Sequence, residues 1–266
     1  MKIPFSLRKS KRSNWVLPYM VFLLVFVIAP LVLIGLYSFF DYNGNFTLKH
    51  FVKFFTQTET LNTFIYSIVV ASVVTLICIL VAYPAAFFLA RMNVSKSRVL
   101  IMLFILPMFV NVLIRSLATV ALFDFLHLQL GEGALLFGLT YDFLPFMIFP
   151  IYNSIIKIDP ALIEAAQDLG ATISQLISRI ILPLSAPGIT SGIMMVFLPA
   201  ISTFAISEIL TLNNKRLFGS IIQENIMITD KMNFGAALSL IMLVIIYLSL
   251  MIERKKGSQE EQETSF

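Results

Sequence analysis

The chain has 266 residues, of which 58% are hydrophobic and only 13% charged, with a net charge of +4. A soluble fold of this size cannot hide that much apolar side chain, so composition predicts an integral membrane protein. The positive residues sit between apolar runs and in the tails, which is not the pattern of a nucleic-acid binder, and the single cysteine excludes an internal disulfide.

A membrane-crossing helix needs about 20 apolar residues, and lipid admits only helices or closed barrels. Six stretches have helical length: Val16 to Phe40, Thr63 to Ala90, Val99 to Phe123, Ala134 to Ile156, Ala186 to Ser207 and Phe234 to Ile252. Ahead of the first lies a basic arm, residues 1–15, suited to anionic lipid heads, with Trp15 as an interface anchor. The first stretch is too long for a cleaved leader and lacks a small-residue cleavage pattern, so an uncleaved span is expected, with its outer loop closing a unit over 16–60. Asn43-Gly44 marks a turn in the loop from Asp41 to Leu61. Pro84 and Pro107 are expected to kink the second and third spans. Cys78 reads as a packing residue in an apolar run. Gly131 to Gly133 is a short turn before the fourth span, which contains Pro145 and Pro150. The connection from Glu208 to Asn233 is the longest outer one, and its polar middle, Thr211 to Arg216, is expected to face a soluble partner. The five later spans form a core over 61–252. Residues 253–266 form a tail, basic and then Gln/Glu-rich, whose composition predicts disorder.

Lys and Arg set the orientation. With the N-terminus inside, the inner segments carry Lys2, Arg8, Lys9, Lys11, Arg12, Arg91, Lys96, Arg98, Lys157, Arg179, Arg254, Lys255 and Lys256. The outer segments carry Lys49, Lys53, Lys215, Arg216 and Lys231. The imbalance predicts both termini in the cytoplasm of a multi-pass plasma-membrane protein.

The same reading puts the connection 157–185 in the cytoplasm. Asp159-Pro160 starts a helix, Gly170 stops it, and Thr172 with Gln175 makes a capping box for a second helix that ends at Pro183. Ile173, Leu176, Ile177, Ile180 and Ile181 draw an apolar stripe on that second helix. The run Glu164-Ala165-Ala166, then Gly170, Ile180, Leu182 and Pro183, resembles the EAA loop of ABC-importer permeases. The resemblance implies that this hairpin docks into a groove on an ATPase subunit, with the two alanines allowing close approach and Glu164 meeting basic or amide groups. The alternative from the residues alone is an amphipathic hairpin on the membrane surface.

Charges at membrane depth are costly and tend to be functional. Arg115 lies in the third span and Asp142 in the fourth; Asp124 and Glu208 lie near the outer ends of the third and fifth. Asp124, Asp142 and Glu208 are candidates to attract a cation, with Tyr66, Tyr141, Phe143 and Phe204 offering aromatic faces to ammonium groups. An Arg115–Asp142 pair that only holds the bundle together is the bland alternative. No P-loop occurs, the two histidines have no clustered partners, and no nucleophile elbow or zincin pattern appears. The chain is therefore expected to be neither an enzyme nor a metal protein.

Leu106-Pro107 with Asn111, Leu113, Ile114 and Arg115, Tyr141 with Leu144-Pro145-Phe146-Met147, and Phe197-Leu198-Pro199-Ala200 leading to Ser207 and Glu208 resemble spermidine/putrescine importer permeases, closest to their B-type, over about Thr63 to Ile252. Asp142 departs from that family's pattern. The resemblance implies an all-α, six-span, type I ABC-importer permease fold working by alternating access. It further implies a second permease chain in a heterodimer, two ATPase subunits holding the ATP and magnesium, and an extracytoplasmic substrate-binding protein. Iron, thiamine, sulfate and phosphate permeases share this build, and a self-sufficient channel or ion-coupled carrier is a further alternative.

Overall fold

The computed structural model describes residues 13–41, 43–228 and 231–263, of which 13–15, 94–96, 98, 228 and 252–263 are described by backbone alone. The basic arm before Ser13 and the side chain of Trp15 lie outside the described residues. Regular structure there is helical throughout, apart from one isolated antiparallel bridge between Phe40 and Phe46.

Helix α1 (Val16–Phe39) holds a π-helical stretch, Leu24–Ile28, immediately before Pro30. Proline has no N–H to donate, and the widened turn absorbs the missing bond. The Asn43-Gly44 turn forms as its residues predict, with Gly44 N–H donating to the Asp41 carbonyl at 2.8 Å. The short helix α2 (Lys49–Thr56) buries Phe54, which meets Phe64 and Phe218 edge-on at 5.7 and 6.1 Å.

Helix α3 (Thr58–Arg91) runs 34 residues and continues through Pro84 without a break. At 1.5 Å per residue it is about 50 Å long, so it extends well beyond a hydrocarbon layer. The expected kink of the third span at Pro107 is present, and it is a sharp one. Helix α4 (Val94–Ile105) tightens into a 3-10 turn at Leu106–Phe109, and the axis then swings by 98° into α5 (Val112–Phe125). Two local causes combine there. Pro107 lies in the tightened turn, and Asn111 starts a new helix by accepting the Leu113 N–H at 2.8 Å.

Helix α6 (Glu132–Ile155) tolerates Pro145 and Pro150. A hairpin follows, α7 (Pro160–Asp168) and α8 (Ile173–Leu184), and α8 turns by 66° into α9 (Ala186–Ser202). The expected fifth span ends earlier than Ser207: the helix stops at Ser202, and α10 (Ala205–Leu210) restarts beyond Phe204. Among the described residues four helices are long and apolar enough to cross a membrane, or six when each bent pair counts as one span.

The core is a three-helix wall of α3, α6 and α9. Cys78, Leu139, Met147, Ile151 and Val196 are fully buried in it. Helices α6 and α9 come so close that a Cβ on Gly188 would stand 2.6 Å from the Pro150 carbonyl oxygen. Small residues that let backbones approach in this way are the usual device for packing helices in lipid. Helix α1 lies apart from the wall, along α12 (Met232–Glu263).

Two expectations change here. The connection after Glu208 is not an open loop along its length. Helix α11 (Phe218–Gln223) turns back into the bundle, with Phe218 fully buried and its N–H donating to Ser67 Oγ at 2.8 Å. Thr211 is also buried, so the exposed polar part is Leu212 to Arg216. The tail is not irregular either, because α12 continues to Glu263. Lys, Glu and Gln are good helix formers, and extending an existing helix avoids the cost of a new nucleus.

Candidate functional site

Charged and polar groups gather at the two ends of the wall. One end carries the hairpin. Asp159 caps α7, its carboxylate accepting the Ala161 N–H at 2.9 Å. The chain reverses at Gly170, whose φ of 81° is a left-handed conformation natural to glycine. The N–H groups of Gly170 and Ala171 donate to the carbonyls of Gln167 and Ala166 at 2.9 and 3.0 Å, closing the helix end. The expected capping box is present: Thr172 N–H donates to Gln175 Oε1 at 2.9 Å, and Gln175 N–H donates to Thr172 Oγ1 at 3.4 Å. The reversal is thus held by its own local bonds.

The apolar stripe on α8 is shorter than its spacing predicts. Leu176 and Ile181 are buried and Ile177 and Ile180 half-buried, but Ile173 is 73% exposed. It joins Leu169, 87% exposed, and Leu162, 52% exposed, on the tip and outer side of the hairpin. Covering an aliphatic side chain of this size yields about 1.5–3 kcal/mol. The tip is therefore an apolar surface without a cover among the described residues. Glu164, Ala165, Leu182 and Pro183 are exposed, Ala166 and Ile180 half-buried. At the root, Tyr83 and Ser185 hydroxyls meet at 3.3 Å, and Ser97 and Tyr152 hydroxyls at 3.0 Å. Arg91, Tyr152, Ile163, Glu164 and Gln167 line a cavity of about 430 Å³ between root and wall.

Toward the opposite end, Arg115 of α5 and Asp142 of α6 form an ion pair, Nη1 to Oδ1, at 3.0 Å. They are 8% and 2% exposed. The guanidinium lies 5.9 Å from the Tyr141 ring centroid. The other candidates are not gathered around this pair. Asp124 is exposed in the last turn of α5, where its backbone carbonyl receives the N–H groups that close the helix. Glu208 is half-buried on α10, and no ion pair reaches it among the described residues. Phe204 caps α10 and borders an apolar recess of about 460 Å³ with Ile222, Gln223, Ile226 and Met242. Phe143 packs against Phe146 with ring centroids 6.2 Å apart.

Tyr66 belongs to a cluster that the sequence does not announce. Its hydroxyl donates to Glu132 Oε1 at 3.5 Å. That carboxylate holds Lys215 Nζ at 2.9 Å, and the ammonium lies 5.5 Å from the Tyr66 ring centroid. Glu132 follows a turn glycine and Lys215 sits in a polar loop, both ordinary surroundings in which no periodic signal exists. The Gly131 N–H donates to the Leu210 carbonyl at 3.0 Å, which ties the two segments together. Among the described residues no His/Cys/Asp/Glu group of metal-binding size forms.

This layout, a helical wall with a hairpin at one end and a break near the other, matches known proteins. Residues 79–254 match the family described as binding-protein-dependent transport system inner membrane component. The chain belongs to that family. It is a multi-pass inner-membrane permease component and not the ATPase. The spermidine/putrescine transport system permease protein PotB of Haemophilus influenzae is 32% identical over 86% of this chain and 88% of its own length. PotB of Escherichia coli K12 is 34% identical over 78% of this chain and 81% of its own. A chain in the crystal structure of a bacterial ABC transporter that imports the acidic polysaccharide alginate superposes with a TM-score of 0.68. It is 18% identical, and the match covers 92% of this permease and 95% of that chain, a likeness of fold.

Proposed function

We propose that this permease is one half of the translocation unit of an ATP-driven importer for polyamines such as spermidine and putrescine. A second permease chain completes the pore, two ATPase subunits drive it, and an extracytoplasmic binding protein delivers the solute. Both termini and the hairpin face the cytoplasm, in keeping with the Lys and Arg bias. The sequence divides into the arm 1–15, the first helix and loop 16–60, the core 61–252 with its hairpin 157–185, and the tail 253–266.

One observation carries the machine: an apolar hairpin tip, built by its own caps, that the described residues leave uncovered. A groove on an ATPase subunit covers Leu169 and Ile173. When ATP closes the ATPase pair, the hairpin moves with it, and α8 passes that movement through the 66° corner into α9. The wall then opens outward, solute enters past Glu208, and hydrolysis restores the inward state. Glu164, Ala165, Ala166, Gly170, Ile180, Leu182 and Pro183 serve the coupling.

The cargo reading rests on the polyamine names of the relatives. The charge arrangement agrees with it. An anion path would need Arg115 unneutralised and aimed at the pore, whereas Asp142 neutralises it. Uptake by proteoliposomes holding the full complex, with polyamines, sulfate and phosphate in parallel arms, tests this. ATP-dependent uptake of spermidine or putrescine is expected, and uptake of an anion alone would overturn it.

A further inference from the structure

Lys215 is an ammonium held between a carboxylate and an aromatic face. Its Nζ stands 2.9 Å from Glu132 Oε1 and 5.5 Å from the Tyr66 ring centroid, while Tyr66 OH donates to the same carboxylate oxygen. A carboxylate acceptor beside a π face is the arrangement that recognises any primary alkylammonium. Building on the polyamine reading, we infer that Glu132 and Tyr66 form an ammonium-binding subsite on this permease, and that Lys215 is its tethered occupant, displaced by an ammonium of the incoming solute.

Three features of the cluster support displacement over a fixed strut. Both charged side chains are about half exposed, and ion pairs of that kind are weak, so a competing ammonium faces a low barrier. The backbone of Lys215 is fixed independently of its side chain. Thr211 Oγ1 accepts the Lys215 N–H at 3.1 Å and is 3.0 Å from the Lys215 carbonyl, whereas the Nζ is held by Glu132 and Tyr66 alone among the described residues. The loop that presents it is also strained. Leu212 and Asn213 are successive non-glycine residues in the left-handed region, at φ 52° and 61°. Such outliers persist where a loop must hold a particular side chain in place. The cluster lies at the end of the wall opposite the hairpin, the side from which solute arrives in the proposed orientation.

The test compares KM and kcat for spermidine uptake by proteoliposomes of the complete transporter at saturating binding protein, after equal membrane incorporation is verified. Lys215→Met empties the subsite and is expected to lower KM roughly two- to fivefold, the range that an exposed pair contributes, with kcat little changed. Glu132→Gln is expected to raise KM, and Lys215→Met added to Glu132→Gln gives no further change. Arg216→Met removes a positive charge from the same loop and is expected to leave KM as it was. The subsite is overturned if Lys215→Met raises KM or leaves it unaltered, if it keeps its effect without Glu132, or if Arg216→Met acts as strongly. Wild-type vesicles that take up no polyamine would overturn the cargo reading and the subsite together; wild-type uptake indifferent to Lys215 would overturn the subsite alone.

Discussion

Arg115 and Asp142 face each other at 3.0 Å across α5 and α6, both almost out of contact with solvent. The pair bridges the half-helix that follows the 98° break and the central helix of the wall. A lone buried charge is far more costly than a paired one, so removing either partner costs about 3–5 kcal/mol. Arg115→Met and Asp142→Leu are each expected to lower the midpoint of thermal unfolding in detergent and reduce membrane abundance. The double variant is expected to recover most of the loss. A double variant as unstable as the worse single would mean that the charges have separate partners.

At the hairpin turn, Gly170 has a positive φ and open space around it, so a Cβ there would meet backbone strain and no neighbouring atom. Left-handed backbone costs a residue other than glycine about 1–2 kcal/mol, more when it is β-branched. Gly170→Val is therefore expected to leave the permease folded in the membrane and to re-aim the tip. Transport is expected to fall several-fold while ATP hydrolysis by the reconstituted complex continues. Wild-type transport by this variant would sink the coupling role of the turn.

The tip itself can be made polar without touching the wall. Leu169→Ser and Ile173→Ser remove exposed apolar surface, so the isolated chain should lose little stability. Each is expected to weaken copurification of the ATPase, by about 1–2 kcal/mol or roughly tenfold in affinity. Pull-down at graded salt and detergent gives the measurement, and undiminished recovery of the ATPase would show that the tip is not its seat.

Glu208 is half-buried at the end of the wall opposite the hairpin and has no ion-pair partner among the described residues. Glu208→Gln keeps its shape and removes its charge. Uptake of spermidine is expected to fall while ATPase recovery in a pull-down stays at the wild-type level. Unchanged uptake would reduce Glu208 to a surface charge.

What could be read before folding was mostly local. The Asp159 cap, the Gly170 reversal and the Thr172–Gln175 box each involve residues within five positions of one another, and each forms as the residue types dictate. The break at Asn111 had its signals too, a proline and a capping residue four positions apart; the proline announces a kink, but a swing of 98° is set by packing that residue type does not encode. Ile173 fits the period of the buried stripe; its exposure depends on where the hairpin tip stands clear of the wall, which periodicity does not encode. Arg115 and Asp142 stood out as charges in apolar surroundings. Their pairing is one of the two readings the residues allow, and it forms; the contact of Glu132 with Lys215 has no such signal, since it joins segments distant in the chain and follows only from the tertiary packing.

Helix α1 lies along α12, outside the three-helix wall, and no residue of its apolar stretch is fully buried by the other described residues. It also precedes residues 79–254, the stretch that matches the family model. Trimming it, like loosening a clasp on the rim, is accordingly expected to cost the subunit its hold on lipid or a neighbour while the shape of the passage survives.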